Sequence, residues 1–144
     1  MAKKEIIPFE PPSEEEIMLI QPNNVTFGQY NVSEWQENLL TLIGDKIQKH
    51  MTREEELPRD LFNQPYVVIM CDEAGGKNNK NKVLKEAIDM LNKRFSFRWL
   101  HPKMKKEIET TGGSVITNIH NIKGTNQIMV NLNPWAIPFL IYYG

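Results

Sequence analysis

The chain has 144 residues, 40% of them hydrophobic and 24% charged, and a formal net charge of −1. This length fits one domain with a real core, and the composition is ordinary for a soluble globular protein. The single cysteine, Cys71, excludes an internal disulfide; no apolar run is long enough to cross a bilayer, and the N-terminus lacks the apolar core of a signal peptide. We therefore expect a cytoplasmic protein.

Charge is distributed unevenly along the chain. Residues 1–60 carry 6 basic and 12 acidic side chains (net −6), whereas residues 61–144 carry 11 basic and 6 acidic side chains (net +5). Residues 77–106 alone carry ten Lys or Arg against two acidic residues (net +8). A basic segment of this kind suits phosphate backbones. A solvated helix face with no partner explains the same charges about equally well.

The first half of the chain predicts a flexible leader followed by a long helix. Residues 1–23 contain prolines and an acidic run and have little to bury, and residues 25–30 are predicted to be extended. The helix begins after Ser33, which with Gln36 fits a capping box, and runs to about Met51. Its apolar stripe, expected to face the core, is Trp35, Leu39, Leu42, Ile43 and Ile47.

Residues 52–60 are acidic and contain Pro58, which predicts a loop. The continuous apolar run 66–71 predicts a buried strand. Residues 72–79 predict a flexible connector, with no room for a normal second helix before the basic helix. A basic amphipathic helix then begins near Asn79 or Asn81. Its apolar stripe is Leu84, Ala87, Ile88 and Leu91.

Three strands are predicted after the basic helix, all in one sheet. They are residues 95–100, with alternating aromatics, and residues 115–122 and 128–132, joined by a hairpin turn at 123–126. Asn133 and Pro134 then open a helix that is apolar on nearly every side. The apolar surface of such a helix must be buried against other parts of the protein. Either this domain's own core or a further domain could bury it, and we expect a further domain.

The motifs for nucleotide binding, metal binding and catalysis are incomplete in this sequence. A phosphate-binding loop needs Ser or Thr after its Gly-Lys, but Gly76-Lys77 is followed by Asn78. The three histidines and Cys71 lie on four different elements, which argues against a metal site. We therefore expect no enzyme, no metal and no cofactor.

The basic segment is the best candidate for a binding site, because charge, helical structure and polar hydrogen-bonding groups coincide there. The residues predicted to contact DNA are Lys77, Asn79, Lys80, Asn81, Lys82, Lys85, Lys93, Arg94 and Arg98. Lys93 and Arg94 would also complement the helix C-terminal dipole. The predicted strand 128–132 is a candidate sheet edge for self-pairing, through Ile128, Val130 and Leu132.

Four stretches, taken in order, resemble the N-terminal winged-helix domain of plasmid replication initiators, which bind repeated origin sequences called iterons. They are residues 24–30 with the long helix after them, 83–91, the hairpin 116–133 and 134–140. The resemblance covers about residues 24–144 and implies an α+β, winged helix-like domain. Its parts would be the long N-terminal helix, the basic helix, a small antiparallel sheet as the wing, and the apolar C-terminal helix.

The resemblance also implies partners. Such initiators have two winged-helix domains in tandem: the second reads bases in the major groove, while the first mediates dimerisation and adds backbone and minor-groove contacts when the monomer binds its iteron. The implied partners are double-stranded origin DNA, a second copy and host replication proteins, with no membrane. Because a helix-turn-helix needs a helix before its recognition helix, the sequence predicts phosphate contact rather than base reading by residues 80–93. A winged-helix transcription regulator and a protein–protein module without a DNA role are the alternatives.

Overall fold

The computed structural model describes residues 8–13, 15–16, 20, 25–27, 31–53, 55–75 and 79–141. The helices are α1 (Glu34–Thr52), α2 (Cys71–Gly75), α3 (Lys80–Met90) and α4 (Ile137–Ile141), with a 3₁₀ turn at Pro134–Ala136. The strands are β1 (Val25–Phe27), β2 (Tyr66–Met70), β3 (Phe95–Leu100), β4 (Glu107–Gly112), β5 (Ile116–Ile122) and β6 (Gln127–Leu132).

The strands form two antiparallel sheets of three strands each, in the orders β1-β3-β4 and β2-β6-β5. The prediction of one sheet after the basic helix is therefore wrong. Strand β3 pairs with β1 and β4, whereas the hairpin β5–β6 joins β2. The sequence did not predict a strand at residues 107–112, because Ile108 is the only large apolar residue of this segment.

Helix α1 confirms its predicted start, length and buried stripe. The Ser33 hydroxyl accepts from the Gln36 N–H at 3.2 Å, and the Gln36 side chain accepts from the Ser33 N–H at 3.0 Å. This reciprocal pair satisfies two backbone donors that a helix start would otherwise leave unpaired. The stripe residues Leu39, Ile43 and Ile47 are buried in the common core, so α1 is the helix on which the domain packs.

Strand β2 is confirmed, but only one of its faces is buried. Val67 and Ile69 point into the core, whereas Val68 and Met70 are each 37% exposed. The strand therefore alternates like one covered on a single face, and its apolar outer residues remain available for contacts.

Helix α2 occupies residues 72–75 of the segment predicted as a flexible connector, so that part of the prediction is wrong, whereas residues 76–78 lie outside the described part of the chain. Its single turn begins at Cys71 and buries Ala74. Gly75 lies flat against the Trp35 ring, where any Cβ would overlap the indole. The acidic residues Asp72 and Glu73 occupy the first turn, where the helix dipole favours them.

Helix α4 is covered by this domain itself, which corrects the expectation that another domain covers it. All of its residues are buried. It packs on α1, where Gly44 allows close approach because a Cβ would overlap the Leu140 carbonyl, and the Gln48 amide donates to the Ile141 carbonyl. The inference of a covering domain thus loses its basis.

Part of the predicted flexible leader contacts the turn between β3 and β4. The buried His101 ring donates from Nε2 to the Glu10 carbonyl (2.7 Å), while Nδ1 accepts from the N–H groups of Lys103 and Met104 (3.1 Å each). The Lys103 ammonium lies 3.5 Å from Glu10 and 3.6 Å from Glu16, and the Glu10 charge raises the pKa of Lys103. Glu10 and Glu16 thus contact the folded domain, although most of the described residues 8–13 and 15–16 are exposed.

Candidate nucleic-acid interface

Helix α3 presents one polar face to solvent and buries the other. Val83, Ala87 and Met90 lie at positions i, i+4 and i+7 and are buried. The predicted stripe is displaced from this face: Ala87 is buried, but Ile88 is 53% exposed. Asn81 and Lys85 occupy the outward positions. Their side chains make no hydrogen bond or ion pair with the described residues.

One flank of α3 is neutralised by contacts at the start of α1. The Lys82 ammonium lies 3.2 Å from the Glu86 carboxylate and 5.7 Å from the centroid of the Trp35 ring. The Ser33 hydroxyl donates to the same carboxylate at 2.9 Å. This hydrogen bond, followed by the contribution of Lys82, lowers the pKa of Glu86. Lys82 is therefore paired within the protein, although its side chain is still 44% exposed.

Two more predicted contact residues are bound within the protein. The Lys93 ammonium donates to the Asn31 carbonyl at 2.9 Å and lies 3.7 Å from Asp89, which also accepts from the Gln36 amide at 2.8 Å. The Asn79 amide donates to the Gly75 carbonyl at 2.8 Å. Both side chains join α3 to its neighbours in the fold.

Lys80 reaches from the first turn of α3 to the turn between β5 and β6. Its ammonium donates to the Ile122 carbonyl at 2.9 Å and to the Thr125 carbonyl at 2.6 Å. Two of its three N–H donors are thereby used. Lys80 is a structural contact of the β5–β6 turn in this arrangement.

The remaining predicted residues divide between separate regions. Arg98 lies on the other sheet, 3.9 Å from Glu107. Arg94 follows α3, is exposed and has no ion pair within the described ranges. Lys77 lies outside the described residues, so its expected role is untested.

The β5–β6 turn adds a basic residue that the sequence analysis missed. Lys123 is exposed at the tip, next to Gly124, whose φ of 80° needs glycine at this position. An open polar groove lies between this turn and the starts of α2 and α3, and Asp72, Lys80 and Lys123 line it. Lys123 had been assigned only a turn role; its charge beside a predicted wing was the signal that could have identified it.

Comparison with known proteins decides the family. The family model described as "Initiator Replication protein, WH1" matches residues 18–143. The chain belongs to this initiator replication protein family. The initiator domain is also similar to the crystal structure of the WH1 domain of a replication protein isolated from a multiple sclerosis patient: TM-score 0.49, 13% identity, covering 76% of this chain and 81% of that one. No curated protein matches in sequence.

The strand predicted to form a self-pairing edge of the initiator domain is not an edge. Strand β6 is hydrogen-bonded to β2 on one side and to β5 on the other. Ile128, Val130 and Leu132 are buried in the core. The edge assignment is therefore wrong, because periodicity alone does not show which strand of a sheet is central.

Other site types find little support in the described part of the initiator domain. No group of three or more His, Cys, Asp or Glu side chains there is arranged to hold a metal ion. No described helix is long and apolar enough to cross a membrane. Cys71 is fully buried, and this burial raises the pKa of its thiol, so the nucleophilic thiolate is disfavoured.

Proposed function

We propose that this chain is the N-terminal winged-helix domain of a plasmid replication initiator and that it binds iteron DNA of the origin. The order α1, β2, α2, α3 and hairpin β5–β6, with the sheet order β2-β6-β5, supports this proposal. In it, α3 follows a short helix α2 as in a helix-turn-helix, the β5–β6 hairpin is the wing, and β3–β4 is an insertion between them.

The observation that carries the DNA proposal is the distribution of engaged and available cations. Lys80 and Lys93 are half-buried and bound by backbone carbonyls. Lys82 is exposed but paired with Glu86, whereas Lys85 on α3 and Lys123 on the wing turn are exposed and make no ion pair within the described residues. We therefore assign phosphate contacts to Lys85 and Lys123, with Asn81 and Arg94 as further polar contacts. Phosphate contacts position a protein on the duplex, and they make its affinity depend on salt.

The test is charge reversal at the two assigned lysines. Lys85→Glu and Lys123→Glu, each in the full-length initiator, are compared with Lys106→Glu, an exposed control in the turn between β3 and β4 with the same change of charge. Binding to duplex DNA from the plasmid's own origin is followed by fluorescence anisotropy across a salt series. Each removed phosphate contact should reduce the slope of log affinity against log salt by about 0.9.

Two outcomes would separate this proposal from its alternatives. If the slope of log affinity against log salt were the same in both lysine variants as in the control, a protein–protein module in which the basic helix is solvated surface would be favoured. Salt-dependent binding without any effect of the same substitutions on plasmid replication in cells would favour a transcription regulator. In the proposed role the domain binds rather than catalyses, a second winged-helix domain reads the bases, and host replication proteins are recruited to the opened origin.

Self-association is the second part of the proposal, and the exposed edge of β2 supports it. Tyr66 donates its N–H to the Pro58 carbonyl on the side away from β6. The backbone N–H and C=O groups of successive residues point to opposite sides of a strand, so those of Val68 also point away from β6. No described strand pairs with them. The neighbouring turn exposes Leu61 (92%) and Phe62 (77%). We propose that two copies associate through this apolar edge.

A charge placed on the β2 edge tests the dimer. Val68→Lys should weaken self-association in sedimentation equilibrium, because a lysine on an open edge discourages strand pairing. Leu100→Lys is the matched control, since Leu100 is similarly exposed (40%) on the other sheet. Equal association constants for the two variants would place the dimer contact elsewhere.

A further inference from the structure

Lys80 occupies an unusual position for a cation. It is the first residue of α3, and the positive end of the helix dipole disfavours a lysine there. Its ammonium lies between the carbonyl oxygens of Ile122 (2.9 Å) and Thr125 (2.6 Å). These acceptors are 42 and 45 residues away along the chain, so the contact joins two distant elements.

Further hydrogen bonds hold the same turn on the side of α2. The Cys71 N–H donates to the Asn126 carbonyl at 2.9 Å, and the Asn126 amide donates to the Asp72 carboxylate. Within the turn, the Thr125 hydroxyl donates to the Ile122 carbonyl at 2.7 Å and accepts from the Gln127 N–H at 3.2 Å. The wing turn is therefore fixed against the starts of both α2 and α3.

We propose that Lys80 is a positioning residue, which fixes the wing turn against the start of α3 and so places Lys123 for its phosphate contact. This inference rests on the proposed DNA-binding function. Two carbonyl contacts leave the Lys80 ammonium one donor, so its role is to hold the turn rather than to bind a phosphate. A turn held in advance loses less conformational entropy when DNA binds. Lys80 therefore increases affinity indirectly, through the placement of Lys123.

The first experiment needs no DNA and tests the clamp itself. In Lys80→Met, amide hydrogen exchange measured by NMR should become about tenfold faster or more at Thr125, whose N–H donates to the Ile122 carbonyl at 3.3 Å. The Val130 amide, on the central strand β6, should exchange at the wild-type rate and so report an intact fold. Lys80→Arg keeps the charge and should retain most of the Thr125 protection. Unchanged Thr125 exchange in Lys80→Met would overturn the proposal.

The second experiment separates positioning from direct contact, using duplex DNA of mixed sequence titrated over a salt series. Lys80→Met should weaken binding several-fold at every salt concentration while changing the salt slope much less than Lys123→Met does, because Lys80 neutralises no phosphate. A slope reduced by about 0.9 in both variants would make Lys80 a phosphate contact and overturn the proposal. A wild-type protein without salt-dependent binding would refute the proposed function instead, and the exchange data would still decide whether Lys80 holds the turn.

Discussion

Lysines that look equivalent in the sequence differ in what their ammonium groups contact. Lys80 binds two backbone carbonyls, and Lys82 and Lys93 contact carboxylates at spacing i,i+4. Lys85 belongs to the same helix, yet it faces solvent. A residue list chosen by charge therefore mixes structural cations with available ones. The i,i+4 pairs could have been predicted from the sequence, but the contact of Lys80 with residues 42 and 45 positions away could not.

The Ser33 hydroxyl makes two contacts, so its removal should destabilise the domain. The hydroxyl caps α1 and donates to Glu86 on α3. Ser33→Ala is expected to lower the free energy of unfolding by about 1–2 kcal/mol, the usual cost of a lost N-cap, and to move the pKa of Glu86 up towards its ordinary value. Urea denaturation measures the first effect and NMR titration of the Glu86 carboxyl the second.

Thr41→Ala is the control for Ser33→Ala. The Thr41 hydroxyl lies in the middle of α1 and donates only to the Glu37 carbonyl of its own helix. Because alanine has the higher helix propensity, this variant should be as stable as the wild type or slightly more so. Equal stabilities of the two variants would show that the Ser33 contacts contribute nothing.

At the scale of elements, local patterns determined what was predictable. The capping box and apolar stripe located α1, and a glycine turn between alternating residues located the β5–β6 hairpin. Helix α2 was missed because one turn has no periodicity. The division into two sheets was missed because strand pairing depends on non-local contacts, as with β3, whose partners β1 and β4 lie before and after it. The central position of β6 was missed for the same reason.

The contact between α1 and α4 depends on a glycine. A Cβ at Gly44 would overlap the Leu140 carbonyl oxygen, which is backbone and has little freedom to move. Gly44→Ala should therefore destabilise the domain by about 1–3 kcal/mol, as overpacked core positions do, although the same change in an exposed helix stabilises by about 1 kcal/mol. Thermal unfolding measures the difference, and a raised melting temperature would show that the two helices separate at little cost.

At the scale of the whole molecule, the second sheet has two different ends. Strands β2 and β6 run antiparallel, with Met70 opposite Gln127 at one end and Tyr66 opposite Asn131 at the other. The wing turn with Lys123 lies at the first end, because it joins β5 to Gln127 of β6. The turn with Leu61 and Phe62 lies at the second end, because it leads into Tyr66 of β2. Five residues of strand separate the ends by roughly 15 Å. The proposed DNA surface and the apolar turn are thus at opposite ends of one rigid sheet.

The most direct test of the DNA-binding surface is an NMR titration of the chain with origin duplex DNA at low salt. We expect amide shifts to change at residues 81–85 of α3 and 121–126 of the wing turn, while those of the apolar turn 60–64 stay constant. Shift changes confined to the β3–β4 hairpin or to residues 60–64, with α3 and the wing turn unaffected, would contradict it.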